Sequence, residues 1–446
     1  MLLSKIPQVV SEQQHLPPQN ESNPSSTLIN AEIVTAMSGT PRQQRSVKFY
    51  IIVIPETTTI LRHSQTDASS QYYQKALNEE SAELWLHRGF ERLPQRTQNP
   101  LEADVFVVAG YLHLYNALHP RHSKEFVPLY RKAIIDPSKP HLLLIPTWNP
   151  KVSRDVGVYA LVNMMKAGGG IVQETNLWTV GFERNPQWQN LNPARILPIP
   201  YVVQQNVAIS DDAMPMEHQR KQRLENFVFY AGDARKNAEA WAGCFRTKLI
   251  SSLLQTNRTH QDNHNNRDNI SSMDNNNMEL HIVSKDSRLN QTVYNERMRS
   301  SDYCLILCGD TPTSRSLTSA MIGGCIPIRV GSRLRGLCEP PCHKGYGWTV
   351  TGGKYPHLPF ADRIPWQNFP EVKEEDVLQE GKQALQKMFE KYTIEKKTRL
   401  RSIMDQVRSG WIYGWGDPVT SEKFGDAAMY VWESFEAALR TDNIIS

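Results

Sequence analysis

The sequence predicts an α/β protein of two parallel-sheet, Rossmann-like domains, and three observations carry that expectation. Short apolar, β-branched runs recur at 47–54, 227–232, 303–307 and 325–330, each the length of a buried strand. Helix-forming segments lie between them, as at 72–90 and 291–299, and after Trp366 apolar residues follow three- and four-residue spacing at 374–392 and 395–407. Turn residues separate the two kinds, and strands that alternate with helices imply parallel sheets. The chain has 446 residues, 39% apolar and 22% charged, which is enough for two such domains.

The first 45 residues are rich in Ser, Gln, Asn and Pro without periodicity and read as a disordered arm. They hold no apolar run of membrane-spanning length and no signal-peptide pattern. The run at 47–54 opens the first sheet, and a helix is expected within 72–90. Asp104 precedes a strand whose carboxyl end carries Gly110, Tyr111 and His113. Another strand is expected at 141–146, a turn at 168–170, and an extended segment at 196–203 closes the first domain. The expected domain limits are 46–205 and 206–400, with C-terminal helices over 401–446 that return to the first domain.

The second domain opens at 227–232 and runs into a basic helix with Arg235, Lys236, Arg246 and Lys248. A strand, a glycine turn and a basic helix can form a phosphate site, although the same helix also reads as a solvated face. Residues 255–278 are Asn- and Asp-rich and read as a disordered insertion. The sheet resumes at 280–283, a helix follows at 291–299, and the strand at 303–307 is broken by Gly309-Asp310-Thr311-Pro312. That break opens a helix, stopped by Gly323-Gly324 before the strand at 325–330. In a parallel sheet such a helix starts at the carboxyl edge, where free N–H groups attract anions.

Composition narrows the function. A net charge of +4 gives no argument for nucleic acid or an anionic membrane surface. The six cysteines at 244, 304, 308, 325, 338 and 342 all lie in the second half and permit a disulfide. Cys338 and Cys342 with His343 lack the second ligand pair of a structural zinc site, so a small disulfide loop or two free thiols is expected there. Four Asn-x-Ser/Thr triplets, at Asn20, Asn257, Asn269 and Asn290, suit a lumenal protein.

The stretch 294–366 resembles the core of the exostosin family of glycosyltransferases. Cys304-Leu305, Gly309-Asp310-Thr311-Pro312, Ala320, Gly324-Cys325-Ile326-Pro327, Leu358-Pro359-Phe360 and Ile364-Pro365-Trp366 match its pattern in order. Upstream, Arg96, Thr97, Pro100, Ala103, Asp104, Phe106, Val107 and Tyr111 are similar to its first-domain motif, and 246–249 fits its R-x-x-L segment. The resemblance spans about 47–435. It implies a GT-B fold of two facing Rossmann-like domains and an inverting transferase moving a sugar from a nucleotide-sugar donor, UDP-linked, to a glycan or glycoprotein. It also implies residence in the Golgi lumen and homo- or hetero-oligomers with related transferases. Three departures stand out. Ser316 occupies the family's arginine position, with Arg315 one residue earlier, Ser319 occupies its acidic position, and 149–160 lacks its aromatic–histidine segment.

Glycosyl transfer must stabilise a leaving diphosphate and deprotonate an acceptor hydroxyl. For the first task the chain has no Asp-x-Asp triplet of the metal-using kind, so no metal or other cofactor is expected. The expected donor contacts are Arg246, Gly309, Thr311, Thr313, Ser314, Arg315, Ser316 and Ser319, with the N–H groups that open the helix. For the second task the candidates are Asp362, Asp310 and His113, with Glu339 also weighed. Trp348, Trp366, Trp411 and Trp415 could stack on sugar rings. A non-catalytic member that binds glycan or nucleotide, or supports an active partner, is the rival expectation, and Ser316 and Ser319 are its basis.

Overall fold

The computed structural model describes residues 46–57, 81–111, 126–147, 176–181, 195–203, 224–233, 248–253, 278–283, 289–307, 315–331, 358–414 and 425–445. The first sheet runs in the order β1 (Phe49–Val53), β2 (Val105–Ala109), β3 (His141–Thr147), β4 (Leu177–Gly181), β5 (Ile196–Pro198), with every pair parallel. Successive side chains point to opposite faces, and both faces are covered, which explains strands that read as unbroken apolar runs. Phe49, Ile51, Val105 and Val107 pack with helix α1 (Ala82–Phe90). Ile52, Phe106, Val108 and Leu143 pack with Tyr130 of helix α2 (Phe126–Ala133).

The backbone of Phe49 turns away from β2. Its N–H donates to the Gln95 carbonyl at 3.1 Å and its carbonyl accepts the Thr97 N–H at 2.8 Å. A parallel bridge to Arg96 results, so the chain leaving α1 covers one side of β1 while β2 covers the other. The strands themselves run in sequence order, with β1 at one end and this single bridge beyond it.

The second sheet is doubly wound. It contains β6 (Leu224–Asp233), β7 (Met278–Val283), β8 (Ser301–Ile306), β9 (Ile326–Gly331) and β10 (Glu371–Lys373), all parallel, in the spatial order β7-β6-β8-β9-β10. Because β7 and β8 flank β6, helix α3 (Gln291–Ser300) must cross over β6 to join them. Helix α4 (Arg315–Gly323) then joins β8 to β9 and ends at Gly324, whose φ of 72° suits glycine alone. The strand direction reverses its lateral course between β6 and β8, which is the switch point where open α/β sheets bind ligands.

After β10 come α5 (Glu374–Glu380) and α6 (Lys382–Phe389), where sequence spacing implied one helix. Gly381 divides them because its φ of 57° lies outside the helical region. Helix α7 (Ile394–Val407) crosses residue 400 without a break and belongs with the second sheet, since Arg401 and Lys397 both bond to Asp302 at the start of β8. Helix α8 (Ala427–Thr441) returns to the first half. Its Trp432 ring lies 4.6 Å from Phe49, and Phe435 lies 5.4 Å from Trp178. The strand β4 was not anticipated, whereas the turn expected at 168–170 lies outside the described residues. Residue 278, placed in the expected insertion, begins β7.

Candidate functional site

The residues of the best-matched motif build one edge of the second sheet. In a β8–α4–β9 unit with parallel strands the helix runs antiparallel to them, so its first turn lies at the carboxyl edge. The same geometry puts the first turn of α3 at that edge, capped by Asn290, whose side-chain oxygen accepts the Val293 N–H at 2.8 Å. Two helices thus start at the same edge beside the switch point, each with the positive end of its dipole there. A disulfide between Cys304 and Cys325, both buried, fastens β8 to the start of β9 behind α4.

Arg315 opens α4 with an exposed side chain at this edge. Ser316 and Ser319 take a course the sequence did not show. Both hydroxyls hydrogen-bond to the hydroxyl of Tyr294, from the first turn of α3. Tyr294 also meets Phe229 of β6 edge-on at 5.7 Å, so its ring lies against that strand. Burial raises its hydroxyl above the ordinary value, while the bonds to Ser319 and Ser316 and the Arg315 charge act the other way. The two serines therefore join α3 to α4. Arg246, Gly309, Thr311, Thr313 and Ser314 lie outside the described residues, as do Asp310, His113, Glu339, Trp348 and Trp415.

Asp362 is half exposed in the loop before Trp366 and accepts from Ser434 Oγ of α8 at 3.2 Å. Its neighbour Arg363 pairs with Glu433 and lies 4.4 Å over the Tyr430 ring. This loop thus reaches from the second half to the helix that covers the first. Trp366 and Trp411 do not stack on sugars. Each is 1% exposed, and their rings pack 6.1 Å apart in the core with Phe360 beside Trp411. Their area goes to the joint between the halves.

The first half holds a buried polar cluster that sequence reasoning missed. Tyr111, just past the end of β2, has a φ of 48°, a left-handed backbone unusual for an aromatic residue. Its hydroxyl bonds to Nδ1 of His87 on α1. Burial, then the charges of Arg96 and Arg88, lowers the His87 pKa to about 4, so the ring is neutral at physiological pH. Glu83, one helical turn earlier, is 1% exposed. The pairing of His87 with Tyr111 crosses 24 residues, which no periodicity reveals. Among the described residues no group of three or more His, Cys, Asp or Glu could hold a metal ion, and no helix is long and apolar enough to cross a membrane.

Two parallel sheets, the second doubly wound with helix N-termini at its switch point beside an arginine, define an α/β fold of GT-B architecture. A family model described as the Exostosin GT47 domain matches residues 43–388, and the chain belongs to that family of glycosyltransferases. No curated protein matches the chain. Among solved structures, the wall teichoic acid polymerase TagF is similar at 10% identity over 90% of each chain, with a TM-score of 0.23. A likeness at that score carries no argument about this fold or its chemistry.

Proposed function

We propose that this chain transfers a sugar from a UDP-linked donor to a glycan or glycoprotein with inversion and without a divalent metal. The observation that carries the reading is the placing of Arg315 and two helix N-termini at the switch-point edge of the second sheet. Fixed positive groups there can stabilise a leaving diphosphate as a metal would. In a single displacement the acceptor hydroxyl attacks the anomeric carbon, its proton passes to a base, and the diphosphate leaves with the bonding pair. Asp362, Asp310 and His113 are the proposed bases. The Arg246 side chain and the 309–314 loop are proposed to complete the donor contacts.

The Golgi lumen is the proposed location. The buried Cys304–Cys325 disulfide supports it, because such bonds persist in oxidising compartments. A second reading has one specific observation in its favour. Tyr294 engages Ser316 and Ser319, the two positions where related enzymes carry charged donor contacts, and this suits a chain that binds nucleotide or glycan without turnover.

Release of UDP from UDP-sugars by the purified full-length chain, in the presence of chelator, decides between them. The expected result is turnover that survives chelation and falls about 10²-fold in Arg315→Ala, the scale of one lost transition-state donor. Turnover abolished by chelator and restored by manganese overturns the metal-free reading. UDP binding without turnover establishes the second.

A further inference from the structure

The helix that opens at the donor edge is also the helix on which both passages between the halves converge. The first passage leaves β5, and there the Tyr201 N–H donates to Oγ1 of Thr318 at 3.1 Å. Thr318 is 1% exposed and lies one turn beyond Arg315 on α4. The second passage, 408–414, follows α7. Its Tyr413 hydroxyl donates to the Pro200 carbonyl at 2.6 Å, beside Tyr201. One turn further along α4, Ile322 shares a cavity of about 20 Å3 with Val202, Val203, Trp411, Ile412 and Tyr413. The cavity has room for about one water molecule between α4 and the side chains of both passages.

We infer that Thr318 is a positioning residue, which through its bond to the Tyr201 amide ties the donor helix α4 to the crossover from the first half. The inference rests on the donor reading above, since α4 must be the helix that meets the diphosphate. The physical argument is one of obligatory pairing. A buried backbone N–H that loses its acceptor bears the full desolvation cost, so the Tyr201 amide follows Thr318 as α4 moves. The Tyr413 bond holds the second crossover to the first, so the two passages move with α4 as one clasp. A diphosphate drawn to the first turn of α4 therefore acts on the joint between the halves as well as on its own subsite.

The test is hydrogen exchange of the full chain with and without UDP, together with a calorimetric titration of UDP. In the wild type, UDP is expected to slow exchange in 199–203. Thr318→Val removes only the acceptor, and is expected to leave UDP affinity within about threefold while exchange in 199–203 quickens about tenfold, the scale of one net hydrogen bond. The protection conferred by UDP on that segment is then lost, and Thr318→Ser restores it. Tyr413→Phe gives the same uncoupling independently should Thr318→Val not fold. UDP binding to the wild type with no change in 199–203, or protection undiminished in the folded variants, overturns the inference alone. Failure of the wild type to bind UDP overturns the donor reading and the inference with it.

Discussion

In the first half, His87 and His141 are both buried, and burial first of all lowers each to a pKa of about 4. His141 donates from Nδ1 to the Lys139 carbonyl at 2.7 Å, a bond that favours the charged ring, and burial outweighs it to keep the ring neutral. The second half holds a buried charged cluster. Asp302 accepts from Lys397 at 2.9 Å and pairs with Arg401, and all three are less than a tenth exposed. The second half also carries the Cys304–Cys325 bond. Two parallel sheets are thus held by different chemistry: the first depends on histidines kept neutral, with Glu83 and Arg88 buried on the same helix as His87, and the second on a buried ion-pair cluster and a covalent tie. The first half should yield to acid, and the second to loss of one carboxylate or to reduction.

The largest effect is expected at Asp302. Asp302→Ala leaves Lys397 and Arg401 buried without that carboxylate and should lower unfolding free energy by about 3–5 kcal/mol, read from the urea midpoint. Unchanged stability would mean that both cations reach water on a small shift of α7. Next is the disulfide. Replacing both Cys304 and Cys325 by Ala opens a loop of 21-residue separation and should cost about 3 kcal/mol by the chain-entropy estimate. Both substitutions should leave the acid response of the first half intact.

That acid response has a definite sign. The folded pKa of about 4 lies below the value of 6.5 expected for the unfolded residue, so the unfolded chain binds more protons between those limits. Stability is fully present above pH 6.5 and falls on acidification, by about 2 kcal/mol per histidine at pH 5. His141→Leu should remove about one proton from that dependence, measured by urea unfolding between pH 5 and 7. A slope identical to the wild type would show that His141 is already accommodated in charged form. The smallest effect concerns Asn290. Asn290→Ala removes the cap of α3 and should cost about 1 kcal/mol. It should also weaken UDP binding by loosening Tyr294, while the acid response stays unchanged.

Much of the second sheet was legible in the sequence. The strand at β8 and the glycine stop before β9 appear as an apolar run and turn residues, because each is a local device. The joint between α5 and α6 was hidden, since the three- and four-residue spacing continues through Gly381 and only its φ breaks the helix. Lys397 and Arg401 look like one charged stripe of an exposed helix, and their partner lies 95 residues earlier for the lysine. Tyr294, Ser316 and Ser319 were each visible, but their meeting depends on α3 crossing over β6, which only the sheet order reveals. Strand β4 was missed because Leu177–Gly181 is five residues long and depends on the neighbours β3 and β5 for its identity.

The return of α8 has a consequence for biosynthesis. A ribosome delivers the first sheet early, yet Phe49 and Trp178 are covered by Trp432 and Phe435, which emerge after everything else in the fold. The second sheet can close its disulfide as soon as β9 has appeared, because both cysteines are by then on adjacent strands. The half made first is therefore the half finished last. Until α8 arrives, its aromatic face is open to water, to other nascent chains and to chaperones, and a chain that stops short of α8 would leave that face uncovered for good.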